Sequence, residues 1–459
     1  MFALLTAALL AVAPLSAAEP DWAAVGQETA GWLAGYLQVD TRNPPGGETA
    51  GAQYLAAILE KEGISSEILE YAPGRGSLVA RLRGPGAEKP LCLLSHIDVV
   101  PFEAEKWPEA TGGLSGAVAD GYVWGRGALD MKGMGAVELA AFVQLKRSGV
   151  ALKRDVILLA VADEEVNGDG AKFLAEKHWG EIGCSQLVNE GGLGMRDLFF
   201  EGQTLYGISV AEKGVLWARI TATGPAGHGS RPDPGQALPT LTRALARLEA
   251  YDPKPSYHPA LLELFDNIGQ TRSGMERAVL RSPFLVRTLL RGKLMGNSAT
   301  RAVITDTINI TNVHAGVSPN VVPSEAYAIL DCRLLPGTTP EEMVERIKLI
   351  VADPSIRVEI EHSMLSNESP TDDPLFRALA ARAVEGRSDA AAGPVLSPGF
   401  TDSIYLRPLG VRAYGFVPFD VTLDDAGTMH GHGERVSVQN LTDGVRILYR
   451  AVVDVAGGA

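Results

Sequence analysis

Hydrophobic positions in the first half of the chain follow two periods in turn, which predicts alternating helices and buried strands. Ala50–Gly63 has apolar residues at helical spacing and ends at a glycine, and Lys132–Gly149 follows the same pattern. The runs PLCLLSHIDVV (Pro90–Val100) and DVILLAVADEE (Asp155–Glu165) are nearly all apolar and carry ionisable residues at their ends. Such runs are typical of strands buried on both faces of a sheet. The pattern from about Asp21 to Gly207 therefore predicts an α/β domain.

A different order of elements begins near Val210. Strand-like and helix-like segments follow one another as β-α-β-β-α-β, which is the order of a compact ferredoxin-like module. The segments are Gly214–Gly224, Ala237–Tyr251, Ala302–Gly316, Glu325–Gly337, Pro340–Asp353 and Ile356–Met364. From about Ser366 the helix and buried-strand pattern returns. We therefore predict one α/β domain, formed by residues 19–208 and 365–459, that is interrupted by an inserted lid at residues 209–364.

About fifty extra residues, 252–300, separate the first helix of the predicted lid from its next strand. They include RAVLRSPFLVRTLLRGKLM (Arg277–Met295), a basic and strongly apolar stretch with helical spacing. The simplest interpretation is a pair of surface helices packed on the lid. Two functional alternatives stay open: a cover over an apolar substrate group, or a face that touches a membrane.

The first eighteen residues, MFALLTAALLAVAPLSAA, carry no charge and end in small residues before Glu19. Pro14 and the small residues at 16–18 favour a signal peptide with a cleavage site, although no basic residue precedes the apolar core. The stretch is short for a membrane span. We therefore predict a signal peptide at residues 1–18 and an exported protein, either periplasmic or secreted.

Composition narrows the class of protein. The chain has 459 residues, of which 46% are hydrophobic and 21% are charged, as expected for a globular protein of two or three domains. Its formal net charge of −14 argues against nucleic acid or an anionic membrane as the main partner. Cys92, Cys184 and Cys332 are far apart, and Cys92 and Cys332 lie in apolar runs typical of free core cysteines. We expect neither a disulfide scaffold nor a thiolate metal site.

Five clusters of acidic and histidine residues follow the predicted strands or open glycine-rich turns. They are SHIDVVP (His96, Asp98), GRGALDMKG (Asp130), VADEEVNG (Asp163, Glu164, Glu165), VNEGG (Glu190) and TMHGHGERV (His430, His432, Glu434). Because ligands of open α/β sheets bind at the carboxyl ends of the strands, we expect these clusters to meet there. Imidazole and carboxylate ligands suit Zn²⁺, with Mn²⁺ or Co²⁺ as alternatives. Two histidines and three carboxylates are enough for two ions that share one carboxylate.

Spacing within the clusters gives single residues a role. Asp98 can fold back to hold the second ring nitrogen of His96, and Glu434 could orient His430 in the same way. The adjacent side chains of Glu164 and Glu165 diverge, so that one can bind metal while the other moves protons. A loop of solvated acids would explain any one cluster, but it does not explain five in this order.

The combined motifs resemble the aminoacylase/carboxypeptidase superfamily of dinuclear zinc peptidases, which includes succinyl-diaminopimelate desuccinylase. They are SHIDVVP, GRGALDMKG, DEEVNG, NEGG, GHGSRP, NVVPSEA, LDCRLLPG and HGHGERVS. The resemblance runs from about Gln38 to Arg450. It implies a zinc-peptidase catalytic domain with a mixed sheet flanked by helices, interrupted by a lid that also forms a homodimer. It further implies two Zn²⁺ per subunit, with His96 and Glu190 on one, Glu165 and His430 on the other, Asp130 bridging them and Glu164 as general base and acid.

The same resemblance assigns residues to the substrate. His228 in GPAGHGSRP would reach across a dimer and stabilise the oxyanion in the partner subunit's site. Asn320 and Arg333 would hold the substrate, and the guanidinium of Arg333 suits a carboxylate. The loop PGFTDS (398–403) matches a glycine-rich substrate loop, with candidate contacts at Gly399, Thr401 and Asp402.

Some positions depart from the family pattern or have no motif. Met131 stands where many relatives have a second acid after the bridging aspartate. His432 is an extra imidazole that we expect to face outward. The remaining histidines are expected to be structural: His178, His258, His314 and His362.

The insertion and the ending HGERVSVQNLTDGVRILYR look most like the branch of yeast vacuolar carboxypeptidase S and the secreted N-fatty-acyl-amino-acid synthase/hydrolases. That resemblance implies a metal-dependent amidohydrolase acting on N-acyl amino acids or small peptides with a free C-terminal carboxylate, in either direction. The alternatives are a metallo-carboxypeptidase or dipeptidase on unmodified peptides, an aminopeptidase, a catalytically idle ligand-binding protein and a lipid-surface protein. No stable membrane span is expected.

Overall fold

The structure is a computed structural model that describes residues 19–86 and 88–458. Its strands are β1 (Ser66–Ala72), β2 (Arg75–Leu82), β3 (Glu88–His96), β4 (Ala117–Ala119), β5 (Tyr122–Trp124), β6 (Arg154–Val161), β7 (Gln186–Arg196), β8 (Thr204–Glu212), β9 (Gly214–Thr223), β10 (Gly227–His228), β11 (Thr307–Ala315), β12 (Val321–Val322), β13 (Glu325–Leu334), β14 (Arg357–Met364), β15 (Ala390–Ser397), β16 (Arg412–Val421) and β17 (Arg435–Ser437).

The helices are α1 (Trp22–Leu37), α2 (Glu48–Lys61), α3 (Lys132–Ser148), α4 (Asp169–Phe173), α5 (Trp179–Ile182), α6 (Ala237–Glu249), α7 (Pro259–Gln270), α8 (Gly274–Leu280), α9 (Pro283–Leu289), α10 (Arg291–Gly296), α11 (Ser298–Ile304), α12 (Pro340–Val351), α13 (Pro374–Ala383), α14 (Ser403–Leu406), α15 (Leu423–Ala426) and α16 (Val438–Ala456). A π-helical turn, Leu174–His178, joins α4 to α5.

A mixed sheet of eight strands, in the order β1-β2-β6-β3-β7-β16-β8-β15, organises the larger part of the molecule. Strand β3 is parallel to both β6 and β7, whereas β2 is antiparallel to β6. Alternate residues of β3 enter two separate cores, Leu91 and Leu93 on one face and Cys92 and Leu94 on the other. Burial on both faces explains the unbroken apolar run. The expected mixed α/β sheet flanked by helices is confirmed.

A second sheet of four antiparallel strands, β11-β13-β9-β14, has its own core. Helices α6 and α12 cover one face, because the alternate residues of β13 from Ala326 to Leu334 are buried against them. In chain order the elements are β9, α6, β11, β13, α12 and β14, which is the expected β-α-β-β-α-β order. The proposed limits at 208/209 and 364/365 stay predictions; β8 remains in the large sheet as far as Glu212.

The insertion at 252–300 does not pack on the four-stranded sheet as expected. It forms helices α7 to α11, and Leu261, Leu264 and Phe265 of α7 share a core with Leu205 and Ala391 of the large sheet. The reason is that the edge strand β15 leaves an apolar face uncovered, and α7 lies along that strand. The insertion therefore extends the larger part of the molecule.

The cysteine prediction was wrong in one respect. Cys92 of β3 is joined to Cys184 by a disulfide with a Cα–Cα distance of 5.9 Å, and Cys332 is the free, buried cysteine. The pairing arises because the segment after α5 returns beside β3 before it enters β7. The predicted signal peptide, residues 1–18, lies outside the described residues. Among those that are described, none of the helices combines the length and apolar character needed to span a bilayer.

Candidate active site

The carboxyl ends of the central strands bring the predicted clusters together. His96 is the last residue of β3, Glu164 and Glu165 follow β6, and Glu190 lies within β7. Just after Glu190, β7 passes so close to β8 that only glycine fits: a Cβ added at Gly192 would lie 2.3 Å from the carbonyl oxygen of Gly207. The parallel arrangement of β3, β6 and β7 therefore delivers all four side chains to one edge of the sheet.

Asp130 lies between two imidazoles. Its Oδ1 is 3.1 Å from Nε2 of His96, and its Oδ2 is 3.0 Å from Nε2 of His430. Glu190 Oε1 lies 3.7 Å from the same nitrogen of His96, and Glu165 Oε1 lies 3.3 Å from that of His430. The five residues expected as metal ligands thus meet in the expected pairs around Asp130, and their role as ligands stays a prediction.

The cluster has the donor set and the excess negative charge of a cation site. Ligand atoms of His96, Asp130 and Glu165 lie within 4.8 Å of one another, and so do those of His96, Glu164 and Glu190. Burial raises the pKa of Glu164 and of Glu190 well above the usual range, and each group is raised further by neighbouring carboxylates. Imidazole and carboxylate donors fit Zn²⁺. Divalent cations would offset the mutual repulsion of these acids.

The histidines and Asp130 support one another electrostatically. Although burial opposes it, hydrogen bonds from His430 and His96 hold the pKa of Asp130 below its usual range. Hydrogen bonds to Asp130 and Glu165 raise the pKa of His430 to about 10. Asp130 is therefore ionised throughout the neutral range, as a bridging ligand must be.

Asp98 acts differently from what was expected. His96 Nδ1 lies 2.9 Å from the backbone carbonyl oxygen of Asp98, whereas the carboxylate is 3.6 Å away. That carboxylate instead accepts hydrogen bonds from the backbone N–H groups of Glu164 and Glu165, both at 3.1 Å. Because Asp98 is fully buried, this contact fixes the turn that presents the two glutamates.

Glu434 also differs from the expectation that it orients His430. Its carboxylate accepts hydrogen bonds from the N–H groups of Gly127, Leu129 and Asp130, at 2.8 to 3.1 Å. It also pairs with Arg126 at 2.5 Å, and Arg126 in turn donates to the carbonyl of Gly431. Glu434 therefore holds the loop that carries Asp130, and reaches the loop of His430 only through Arg126.

His228, Asn320 and Arg333, which were predicted to lie on a lid, have no contact with this cluster among the described residues. Gly227–His228 pairs with Val321–Val322, and the N–H of Gly229 donates to the carbonyl of Asn320, so His228 and Asn320 share one exposed ribbon. His228 Nδ1 hydrogen-bonds Ser230, and within the described residues it has no contact with the metal-ligand candidates. Arg333 on β13 is held by Asp331, with Nε and Nη2 at 2.7 and 3.0 Å from the carboxylate.

The glycine-rich loop is only partly open to a substrate. Gly399 is exposed, but Thr401 is buried and its hydroxyl donates to Glu212 at 2.8 Å, which contradicts a free substrate contact. Neither carboxylate oxygen of the buried Asp402 accepts a hydrogen bond from the described residues, and burial raises the pKa of this group well above its usual range. His432 faces outward as expected and lies 3.9 Å from Glu103.

A buried network behind the glutamates was missed by the sequence reasoning. Asn43 Nδ2 donates to both Asp98, at 2.9 Å, and Asp163, at 2.7 Å. Arg75 donates to Asp163 at 2.6 Å and to both carboxylate oxygens of Glu48 at 2.7 Å. Asn43 lies in a turn and Arg75 begins β2, and neither belongs to an acid or histidine cluster, so only the position of Asp163 before the glutamates gave any signal in the sequence.

Comparison with known proteins agrees with the geometry of the site. The model of peptidase family M20/M25/M40 matches residues 92–454. The chain belongs to this family. Family members are metal-dependent hydrolases, and this activity is therefore assigned to the chain.

Curated relatives of this M20 chain include two that bear on the branch. A probable carboxypeptidase S-like 2 of Dictyostelium discoideum is 27% identical over 376 residues, which cover 79% of this chain and 71% of the relative. The N-fatty-acyl-amino acid synthase/hydrolase PM20D1 of Mus musculus is 29% identical over 384 residues, which cover 79% and 74%. The chain therefore resembles the branch indicated by its motifs.

A solved structure supports the fold. The M20 family metallo-carboxypeptidase Sso-CP2 from Sulfolobus solfataricus superposes with a TM-score of 0.68 at 19% sequence identity. The match covers 93% of this chain and 99% of the other. At this identity the comparison supports the M20 fold and nothing about the substrate.

Proposed function

We propose that this M20 protein is an amidohydrolase that cleaves N-acyl amino acids with a free carboxylate, using two Zn²⁺ per subunit. The observation that carries the proposal is the bridging position of Asp130 between His96 and His430, with one glutamate beside each imidazole. The relatives named as a fatty-acyl-amino acid synthase/hydrolase and as carboxypeptidase S-like support an amide next to a free carboxylate. The same site would catalyse the reverse reaction, formation of the amide, when the concentrations of the free acid and the amino acid favour it.

Two cations at this site would polarise the amide carbonyl and lower the pKa of the attacking water. Glu164 is buried, is held in place through its own N–H by Asp98, and carries no metal in the proposed ligand set. It removes a proton from the attacking water and passes it to the leaving amine nitrogen.

Arg333 is the proposed contact for the substrate carboxylate. Asp331 occupies the Nε and Nη2 donors, but an arginine has five N–H groups, so the two on Nη1 and one on Nη2 are left for a carboxylate. The ion pair with Asp331 fixes the plane of the guanidinium before the substrate arrives. A guanidinium that is already oriented favours two hydrogen bonds to the substrate carboxylate over a single one.

We further propose that the protein is an exported homodimer in which His228 completes the partner subunit's site. Supporting this, His228 is exposed on the four-stranded module and has no contact with the cluster of its own chain among the described residues. The disulfide between Cys92 and Cys184 supports export, because such bonds persist in oxidising compartments.

The test is a substrate panel on zinc-loaded protein, on chelated protein and on protein reloaded with Zn²⁺, Mn²⁺ or Co²⁺. The panel contains N-acyl amino acids of increasing chain length, unmodified dipeptides, and the same N-acyl amino acids with an amidated carboxylate. We expect cleavage of the free N-acyl acids, loss with chelator and poor cleavage of the amides. Cleavage confined to dipeptides would replace the proposal with a dipeptidase, and no cleavage by the zinc-loaded protein would refute it.

A further inference from the structure

The segment from Arg272 to Arg301 has a charge opposite to that of the whole protein. It carries six arginines and one lysine against the single acid Glu276, in a chain whose formal net charge is −14. Only Arg281 and Arg301 form ion pairs with carboxylates among the described residues, and their partners are Asp266 and Asp252. The remaining basic side chains leave a local positive surface that the net charge conceals.

Helices α9 and α10 follow one another along the chain, with Leu290 between them. The N–H of Leu290 donates to the carbonyl of Val286 in α9, and the N–H of Leu294 in α10 donates to the carbonyl of Leu290. Val286, Leu290 and Leu294 pack into the core beside β15 and fix which side faces inward. Phe284, Arg287 and Arg291, by contrast, are exposed.

That outward side combines apolar and basic groups. Phe284 is 71% exposed and Leu289 is 63% exposed, so neither residue is buried in the core beneath these helices. Arg287 and Arg291 follow Phe284 by three and seven positions, Lys293 follows Leu289 by four, and all three basic residues are exposed. Exposed apolar residues interspersed with cations are typical of helices that lie in the interface of anionic bilayers.

We propose that the outward side of residues 283–296, which we call the α9–α10 face, binds the surface of a bilayer that contains anionic phospholipid. Phe284 and Leu289 enter the boundary between headgroups and acyl chains, while Arg287, Arg291 and Lys293 contact the phosphates. Charge complementarity favours this occupant, because the exposed Arg287, Arg291 and Lys293 match the phosphates of an anionic bilayer. The binding is peripheral and needs no membrane-spanning helix.

The experiment is vesicle sedimentation of the full chain. Vesicles of phosphatidylcholine alone are compared with equimolar phosphatidylcholine and phosphatidylglycerol, at low and at high salt. We expect sedimentation only with the anionic vesicles, weakened by salt. The variant R287E/R291E removes two attractive charges, each of which contributes about fivefold to the partition coefficient, so binding should fall at least about 25-fold. F284S should weaken binding by about tenfold.

Matched controls distinguish binding through the α9–α10 face from effects of net charge or of exposed apolar residues elsewhere. K89E/K177E makes the same change in net charge at exposed lysines outside the insertion, and L349S removes an exposed leucine of α12. Both control variants should bind vesicles as the parent does. Because every variant keeps residues 1–18, any binding by that segment is common to all of them and cancels in the comparison.

Three results would overturn the proposal. The first is equal binding by the parent, R287E/R291E and F284S, or no binding by the parent. The second is a change in oligomeric state of F284S by light scattering, which would make the face an interface between copies. The third is a raised KM of F284S for a soluble N-acyl amino acid without vesicles, which would make the face part of the substrate site.

Discussion

The guanidinium of Arg75 lies 2.6 Å from the carboxylate of Asp163, whose backbone holds a φ of 72° directly before the glutamates of the site. A non-glycine residue in this left-handed region is strained by about 1–3 kcal/mol and persists only when its surroundings hold it. Arg75 and Asn43 both donate to the Asp163 side chain. This contact therefore connects strand β2 to the position of the proposed general base.

Replacing Arg75 by Met should lower kcat about 10–100-fold and leave KM nearly unchanged, because the turn that carries Glu164 loses its support while Arg333 is untouched. The matched control is Arg81→Met, since Arg81 has nearly the same side-chain exposure, 19% against 18%, and pairs with Asp155 at 2.7 Å. Arg75→Met should also lose more stability in urea than Arg81→Met, because it leaves the buried carboxylate of Glu48 unpaired, whereas Asp155 keeps its pair with Arg83. Steady-state kinetics with the N-acyl amino acid tests whether kcat falls while KM stays nearly unchanged.

Guanidinium ion provides a second readout for Arg75. Arg75→Ala should recover part of its kcat when guanidinium is added at concentrations below those that unfold the protein, whereas Arg81→Ala should not. Equal losses of kcat in both alanine variants, or no recovery, would mean that Arg75 supports only the fold.

The adjacent glutamates should differ sharply in effect. Glu164→Gln removes the proposed proton carrier and should lower kcat about 10²–10⁴-fold with metal content unchanged. Glu165→Gln removes a proposed ligand beside His430 and should lower metal content as well. Atomic absorption after dialysis distinguishes the two. Loss of metal in Glu164→Gln with metal retained in Glu165→Gln would reverse the assignment.

The sequence predicted the convergence of the clusters because that convergence follows from parallel strand order. Once β3 and β6 are parallel neighbours, residues at their carboxyl ends must meet, and His96 and Glu164 do. Glu190 joins them from within β7, because β7 runs parallel to β3 only as far as Val188. The helical insertion was recognised by its periodicity for a similar reason. The surface against which the insertion packs was not predicted. An amphipathic pattern shows that one face of a helix is buried, but it does not show which part of the protein covers that face.

The errors concern side chains whose partners are distant in the chain. Asp98 was assigned to His96 and Glu434 to His430, which lie two and four positions away in the chain. The carboxylate of Asp98 instead accepts from backbone N–H groups 66 and 67 positions away, and that of Glu434 from groups 304 to 307 positions away. Arg75 reaches Asp163 across 88 positions for the same reason. Such contacts depend on loop paths after the sheet has formed, and local spacing carries no information about them.

Glu138 on α3 should make stability depend on pH. It is fully buried, and burial raises its pKa well above the usual 4.5, with the neighbouring Ser95 hydroxyl offsetting only part of the rise. Since the folded state binds the proton more tightly, the stabilisation is complete below about pH 4.5 and is lost as pH rises toward the folded pKa.

Glu138→Gln, which stays neutral, should therefore be more stable than the parent at about pH 8 and similar to it near pH 4.5. Urea unfolding across this range measures the difference. Glu60→Gln on the exposed side of α2 is the control and should change little. A parallel pH dependence in parent and Glu138→Gln would contradict the prediction.

The disulfide between Cys92 and Cys184 should contribute measurably to stability. It closes a loop with a sequence separation of 92, so its loss should lower the free energy of unfolding by about 2–5 kcal/mol. Urea unfolding of Cys184→Ser with and without reductant is the measurement. Cys332→Ala, which removes the free cysteine, is the control and should keep its sensitivity to reductant. An unchanged unfolding midpoint of the reduced parent protein would contradict this prediction.

His228 should act in the partner subunit's site, because its exposed ribbon has no contact with the proposed metal ligands of its own chain within the residues described. His228→Ala and Glu164→Gln should each be nearly inactive alone. In a mixed dimer, one of the two sites then combines an intact Glu164 with an intact His228.

Mixing equal amounts of the two variants under conditions of subunit exchange should restore about a quarter of the parent activity, because half of the dimers are mixed and each mixed dimer has one active site. Mixing His228→Ala with a double variant that carries both changes is the control and should restore none. Recovery in the first mixture alone would place His228 across the dimer, whereas no recovery after demonstrated exchange would confine it to its own chain.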